Sequence, residues 1–296
     1  MKPFSAIIAV TILLLAGTNG WCAIRVVSTI PDFSDLAAQV GGKRVSVTAL
    51  VRPTQDPHFL DAKPSFLLSL HQADILLYTG MELEEGWLPP LLQGSRNRAI
   101  QRGGAGNVDC SRFIEPMDVR APDRAMGDIH PGGNPHYWTD PRNGLRIATG
   151  IRDTLCRLDG AHCDEYHRNA AAFEKKLNAK MKEWKADLKP VAGKRVYVYH
   201  ESWVYFLDFA ELVQAGAIEP RPGVPPPPSH AASLIARARE EHIHLILQES
   251  WYPISTSRLI AQKAKVRLAV LPTMVGAAGT ENYIQLIDAI VREVIK

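Results

Sequence analysis

Residues 24–51 read IRVVSTIPDFSDLAAQVGGKRVSVTALV, two β-branched runs separated by one amphipathic stretch. The runs Arg25 to Ile30 and Arg44 to Val51 predict strands, and the stretch from Pro31 to Val40 predicts a helix between them. Strand, helix and strand in this order form the unit from which parallel sheets are built. The start of the pattern therefore predicts an α/β fold.

The same alternation continues in two blocks, separated by one long helical stretch. Further strands are predicted at Ile75 to Tyr78, Arg195 to Tyr199, Leu212 to Ile218, Ile243 to Leu247 and Val266 to Leu271, and further helices at Pro64 to Ala73, Asp140 to Leu158, Ser202 to Ala210, Ser229 to Glu241, Ser255 to Ala264 and Glu281 to Ile295. The stretch from His162 to Leu188 lacks Gly and Pro and repeats apolar residues at helical spacing, which predicts a rigid connector about 39 Å long. We expect an α/β protein of two lobes, 24–160 and 190–296, each a mainly parallel sheet flanked by helices, joined by one long rigid helix at 161–189.

Composition and the N-terminus narrow the class of protein. The 296 residues are 46% hydrophobic with a formal net charge of +3, which is globular and gives no reason to expect a nucleic-acid partner. Residues 1–23 resemble a secretory signal peptide, and its apolar run is shorter than a bilayer-spanning helix. No later stretch is long and apolar enough to span a bilayer, so we expect a soluble, periplasmic and monomeric mature chain. Cys22 would permit lipidation, but Trp21 before it disfavours that processing.

Three cysteines remain after such a cleavage. Cys156 and Cys163 flank a predicted turn between two helices, so that a local disulfide and a pair of free thiols are both open. Cys110 would then be unpaired. None of the spacings is CxxC, and a zinc site made of thiolates is not predicted.

Three of the ten histidines share a position that the others lack. His58, His136 and His200 lie at the carboxyl edges of predicted strands or in the loops that follow, where open α/β sheets bind their ligands. Two belong to the first lobe and one to the second. Imidazole is a common ligand of transition metals, so the pattern predicts a metal site between the lobes. The other histidines are predicted to be structural or solvated, apart from His130: His71, His162, His167, His230, His242 and His244.

A site of three neutral imidazoles needs a further donor. Glu249 ends an apolar strand in the second lobe and is the best candidate, with helix capping or an arginine ion pair as the alternative. His130 lies in a Gly-rich loop and is a possible accessory donor. Asp140 and Glu201 are predicted to orient imidazoles through the nitrogen that faces away from the metal.

Four segments resemble the zinc and manganese solute-binding proteins of bacterial ABC importers, the periplasmic metal-receptor family. The segments are Asp56-Pro57-His58, Asn134 to Pro141, Tyr199 to Phe206 and Glu219 to Gly223. The resemblance implies two α/β lobes with a metal between them, with His58, His136 and His200 as ligands of the zinc type. The family often supplies an aspartate near Val270 to Gly276, where this chain has Thr273 or Pro272, and the fourth ligand stays open between Glu249, a water and His130.

The leading hypothesis is capture of Zn²⁺ and its delivery to an ABC permease in the inner membrane, without enzymatic activity. Three imidazoles and a carboxylate suit Zn²⁺ or Cu²⁺ better than Mn²⁺. The alternatives are a secreted zinc hydrolase with an open three-His site, and a metal-dependent adhesin or metallochaperone. The hydrolase lacks support, because the chain has neither an HExxH motif nor a GxSxG turn.

Overall fold

A computed structural model describes residues 23–120 and 130–296. The predicted signal peptide therefore lies outside the described residues, apart from Ala23. Within the described residues, no helix has both the length and the apolar character needed to cross a membrane.

The first lobe is built on a parallel sheet in the order β2-β1-β3-β4. Its strands are β1 (Ile24–Ser28), β2 (Val45–Ala49), β3 (Ile75–Tyr78) and β4 (Asn107–Asp109). Its helices are α1 (Pro31–Gly41), α2 (Pro64–Gln72), α3 (Leu88–Ser95) and α4 (Pro141–Leu158). Helix α4 begins where the sequence predicts, because the Asp140 side chain accepts a hydrogen bond from the backbone N–H of Arg142 and Pro141 needs no partner for its nitrogen.

The second lobe repeats the arrangement, with strand order β6-β5-β7-β8 and all pairs parallel. Its strands are β5 (Arg195–Val198), β6 (Val213–Ala217), β7 (Leu245–Glu249) and β8 (Arg267–Leu271), and its helices are α6 (Val204–Ala210), α7 (Pro228–Glu240), α8 (Ser255–Ala264) and α9 (Tyr283–Ile295). The long connector is α5 (Cys163–Leu188), 26 residues. The two-lobed α/β architecture predicted from the sequence is therefore confirmed.

The two lobes share one apolar core. One face of the second sheet, including Val198 and Leu247, packs in the same buried cluster as the helices of the first lobe. Helix α9 contributes to it by lying against α5 and α1, and the Trp184 indole on α5 donates to Asp288 on α9 (2.7 Å). A second buried cluster lies on the opposite face of the second sheet, beneath α7 and α8. A continuous core of this kind resists large relative movement of the lobes.

The cysteine alternative that the sequence left open is resolved. Cys156 and Cys163 form a disulfide between the last turns of α4 and the first residue of α5. Cys110 is a buried free thiol whose pKa is raised well above its ordinary value, chiefly by burial.

Candidate metal centre

Three imidazoles from the two lobes meet in the cleft between them. The ring centroids of His58, His136 and His200 lie 5.1 to 5.2 Å apart in all three pairs. One ligand nitrogen from each lies within 4.8 Å of the other two, and all three side chains are buried. We call these residues the three-His cluster. A group of this size can enclose one metal ion.

Each ring is held by a hydrogen bond from its Nδ1 atom. His58 donates to Asp56 Oδ1 (2.7 Å), His136 to Asn134 Oδ1 (3.0 Å) and His200 to Glu219 Oε2 (2.7 Å). An oxygen acceptor at Nδ1 places the ring proton there and leaves the lone pair on Nε2. In the described part of the chain, the buried Nε2 atoms of His58 and His136 make no hydrogen bond. The cluster therefore presents nitrogen lone pairs in the form that a metal requires.

Two of the three anchors come from one repeated local motif. In Asp56-Pro57-His58 and Asn134-Pro135-His136, the side-chain oxygen of the first residue accepts from both the backbone N–H and the ring of the histidine two positions later. This is an Asx-type turn, which short polar side chains form readily. The Asn134 amide nitrogen also donates to the backbone carbonyl of Glu201 (2.6 Å), so the amide oxygen is the atom that faces the His136 ring.

An orienting role for Asp56, Asn134 or Glu219 was not predicted from the sequence. The Asx-Pro-His repeat was a signal for the first two. Glu219 follows β6 and His200 follows the neighbouring strand β5, so their contact depends on the strand order, which the sequence did not specify. Asp140 and Glu201, which were assigned that role, bond elsewhere: Asp140 pairs with Arg142 (2.6 Å), and Glu201 pairs with Arg120 (3.0 Å). Neither makes a hydrogen bond to an imidazole of the cluster.

Burial and neighbouring groups shift the pKa values of His136 and Asp56 in directions that favour a bound cation. Burial, together with the neighbouring imidazoles of His58, His200 and His130, holds the pKa of His136 well below its ordinary value. Burial by itself would raise the pKa of Asp56, but the hydrogen bonds from His58 hold it below its ordinary value. The His136 ring resists protonation and keeps its lone pair for a metal, and the carboxylates of Asp56 and Glu219 behind the other two rings favour a divalent cation.

Glu249 and His130, the residues considered as a fourth donor, are not members of the three-His cluster. Glu249, the last residue of β7, is fully buried, and neither of its carboxylate oxygens makes a hydrogen bond of ordinary geometry within the described chain. Burial raises the pKa of Glu249 to about 8, the Ser202 hydroxyl opposes this in part, and the carboxylates of Glu219 and Asp56 add to it. Glu249 is not in the group whose ligand atoms all lie within 4.8 Å of one another.

His130 lies next to the cluster. Its ring centroid is 5.6 Å from that of His58. It also lines a cavity of about 30 Å³, large enough for one ion or water, which has the following walls: Asp118, Arg120, His130, Asn134, His136, His200, Glu201 and Pro222. Thr273, at the place where the resemblance would put an aspartate, is buried, and its backbone carbonyl accepts from the Trp138 indole (2.7 Å).

Comparison with known proteins identifies the family of this chain. Residues 26–296 match the model of the ZnuA family, described as zinc-uptake complex component A, periplasmic. The chain belongs to the ZnuA family. This membership makes it a metal-binding, substrate-binding component of an ABC transporter rather than an enzyme, which confirms the sequence-based prediction on both points.

The individual relatives carry different metals in their names. The chain is 28% identical over 247 residues to the high-affinity zinc uptake system protein ZnuA of Paracoccus denitrificans, covering 70% of this chain and 72% of that protein. It is 25% identical over 281 residues to the iron-binding protein YfeA of Yersinia pestis, covering 92% and 85%. A crystal structure of ZnuA superposes with a TM-score of 0.77 at 26% identity, over 93% of this chain and 98% of that one.

Proposed function

We propose that this chain captures Zn²⁺ in the cleft between its lobes and delivers it to an ABC permease. The observation that carries the proposal is the three-His cluster itself, which draws two ligands from one lobe and one from the other. In the proposed site the Nε2 atoms of His58, His136 and His200 bind the ion. A metal held in this way bridges the lobes, so a partner that contacts both lobes can distinguish the metal-bound chain from the metal-free chain.

The choice of zinc rests on the donor set. Three imidazole nitrogens favour Zn²⁺ or Cu²⁺ over Mn²⁺, which prefers oxygen-rich sites. The named relatives include zinc and iron binders, so the family alone leaves the metal open. Selection against copper would depend on tetrahedral geometry and on metal supply, since copper has the higher intrinsic affinity.

We propose Glu249 as the fourth ligand, reached by a small movement of the β7 end or of the cluster when the ion enters. A buried carboxyl without ordinary hydrogen bonds gains most from a cation, because the ion replaces the hydration that burial removed. In this proposal Asp140 and Glu201 support the site without a hydrogen bond to a ligand imidazole. Asp140 caps α4, and the Glu201 backbone carbonyl holds the Asn134 amide that orients His136.

Isothermal titration of the metal-free chain with its disulfide intact tests the proposal. We expect one tight Zn²⁺ per chain, much weaker Mn²⁺ binding, and a loss of tight binding in His136→Ala. His230→Ala is the matched control, because His230 lies on α7 and contacts the backbone carbonyl of Ala217 instead of the cluster. Unchanged affinity in His136→Ala would contradict the proposed site.

Delivery requires a second measurement. Membrane vesicles that contain the permease and the purified chain should take up radioactive zinc, and vesicles given the His136→Ala variant should not. Tight binding without uptake would instead support the adhesin or metallochaperone alternative. Size-exclusion chromatography with light scattering tests the further proposal that the chain works as a monomer.

A further inference from the structure

A second set of metal-ligating side chains lies at the junction of α4 and α5, on elements that do not carry the three-His cluster. It consists of Cys156, Cys163 and His167, which we call the thiol-histidine group. One ligand atom from each residue lies within 4.8 Å of the other two. In the structure the two cysteines are joined by a disulfide, and a disulfide sulfur is a poor ligand for a hard or borderline cation. The group is therefore closed to metal in this redox state.

The helices place these residues in a way that suits metal binding once the disulfide is open. Cys163 is the first residue of α5, and His167 follows it by four positions on the same face of the helix. The N–H groups at a helix N-terminus stabilise a thiolate and lower the pKa of a cysteine there. Cys156 faces them from the last turns of α4.

We propose that reduction of this disulfide opens a second metal site, with the thiolates of Cys156 and Cys163 and the imidazole of His167 as ligands. The step balances with a dithiol as reductant: the protein disulfide gains two electrons and two protons to give two thiols, and the dithiol becomes a disulfide. Binding of Zn²⁺ then displaces two protons to solvent. Ligand atoms that share a tetrahedral zinc lie about 3.5 to 3.8 Å apart. The two sulfurs therefore have to separate after reduction, and the ligand nitrogen of His167 already lies within 4.8 Å of both.

The site would have three protein ligands and an open fourth position. All three residues are at least partly accessible, since Cys156 and Cys163 are half-buried and His167 is exposed. Solvent can therefore supply the fourth ligand, and a reductant can reach the sulfurs. Cys110 does not compete for metal, because it is buried in the core and its thiol resists ionisation. The metal capacity of the chain thus depends on its thiol state, which goes beyond the function proposed for the cleft.

Cobalt(II) is a suitable probe, because thiolate ligands give it an intense near-ultraviolet charge-transfer band that imidazoles do not. The full chain is titrated with Co²⁺ before and after reduction by a phosphine, with the phosphine removed. We expect the reduced chain to bind one more Co²⁺ than the oxidised chain, and the charge-transfer band to appear only after reduction. The oxidised chain reports on the three-His cluster alone, so failure of the cleft proposal and failure of this one are distinguishable.

The variant His167→Gln keeps the disulfide and removes one ligand. We expect it to weaken the second site of the reduced chain at least tenfold while Co²⁺ binding by the oxidised chain stays unchanged. His242→Asn is the matched control, since His242 is an exposed turn residue with a φ of 52° that asparagine tolerates. Absence of the band in the reduced chain, a band of equal affinity in His167→Gln, or loss of the circular dichroism of the fold on reduction would each overturn the proposal.

Discussion

The hydrogen bond between Glu219 and His200 offers the sharpest test of how the cleft binds a cation. Both side chains are buried, and the Glu219 Oε2 to His200 Nδ1 distance is 2.7 Å. The substitution Glu219→Gln keeps the size and an acceptor oxygen but removes the negative charge. We expect it to weaken Zn²⁺ binding without displacing the ring.

The expected magnitude follows from the distance between the carboxylate and the proposed ion. A hydrogen bond of 2.7 Å, the width of an imidazole and a Zn–N bond together put that charge about 6.5 Å from the ion. Coulomb attraction between −1 and +2 charges there is about 5 kcal/mol at an effective dielectric constant of 20. This is an upper limit, because the ligands share the charge of the metal and the carboxamide keeps a neutral hydrogen bond. Changes of this kind typically cost about 10- to 100-fold in metal affinity, and we expect the same here.

Competition titration against a chelator of known zinc affinity measures the change. Glu241→Gln is the matched control, since Glu241 is another glutamate whose carboxylate accepts hydrogen bonds from side chains, here those of Arg195 and Arg237 on the surface of the second lobe. Thermal unfolding of both metal-free variants shows whether the fold is retained. If Glu219→Gln bound Zn²⁺ within twofold of the unchanged chain, the idea that the carboxylate strengthens the His200 ligand would be refuted.

Four further predictions concern protons and the disulfide. Because the pKa of Glu249 is raised to about 8, Zn²⁺ binding at pH 7 should release about one proton more in the unchanged chain than in Glu249→Gln, as measured by calorimetry in buffers of different ionisation enthalpy. The same substitution should stabilise the metal-free chain by up to about 5 kcal/mol at pH 8 and by little at pH 4. The reason is that folding raises the pKa of the Glu249 carboxyl group, so its ionisation costs stability, and this cost grows as pH rises from the pKa in the unfolded chain towards the pKa in the folded chain. The pKa of His136 is depressed, so the contribution of this side chain to stability is present above about pH 6.5 and is lost as pH falls. The thermal unfolding temperature of the metal-free chain should therefore fall less with acidification in His136→Gln than in the unchanged chain. Reducing the Cys156–Cys163 bond, which spans a sequence separation of 7, should lower the free energy of unfolding by about 2.5 kcal/mol in chemical denaturation, and an unchanged value would contradict the loop-entropy argument.

Periodicity was sufficient to predict most of the secondary structure. The connector was predicted from His162 to Leu188 and is observed as Cys163–Leu188, because a long stretch without Gly or Pro has few competing conformations. Strand β4 and helix α3 were missed. β4 has only three residues and lies among glycines, while α3 contains Pro89, Pro90 and Gly94, so neither carries a periodic signal.

The candidate site was also only partly predictable from the sequence. His58, His136 and His200 were singled out because the carboxyl edge of a parallel sheet is a position that sequence can indicate. The partners of their rings depend on contacts between elements. The proximity of Glu219 to His200 follows from the parallel pairing of β5 with β6, and helix α9 contacts the first lobe although its apolar periodicity would equally fit the second.

The return of α9 to the first lobe ties this helix to the loop that carries His136. Its first residue, Tyr283, donates through its hydroxyl to the backbone carbonyls of Trp138 and Asp140, next to the loop that carries His136, and its N–H donates to Asp35 on α1. These bonds join the beginning, the middle and the end of the chain. A chain shortened before Tyr283 loses both hydrogen bonds to this loop, so we expect the loop to hold His136 less firmly.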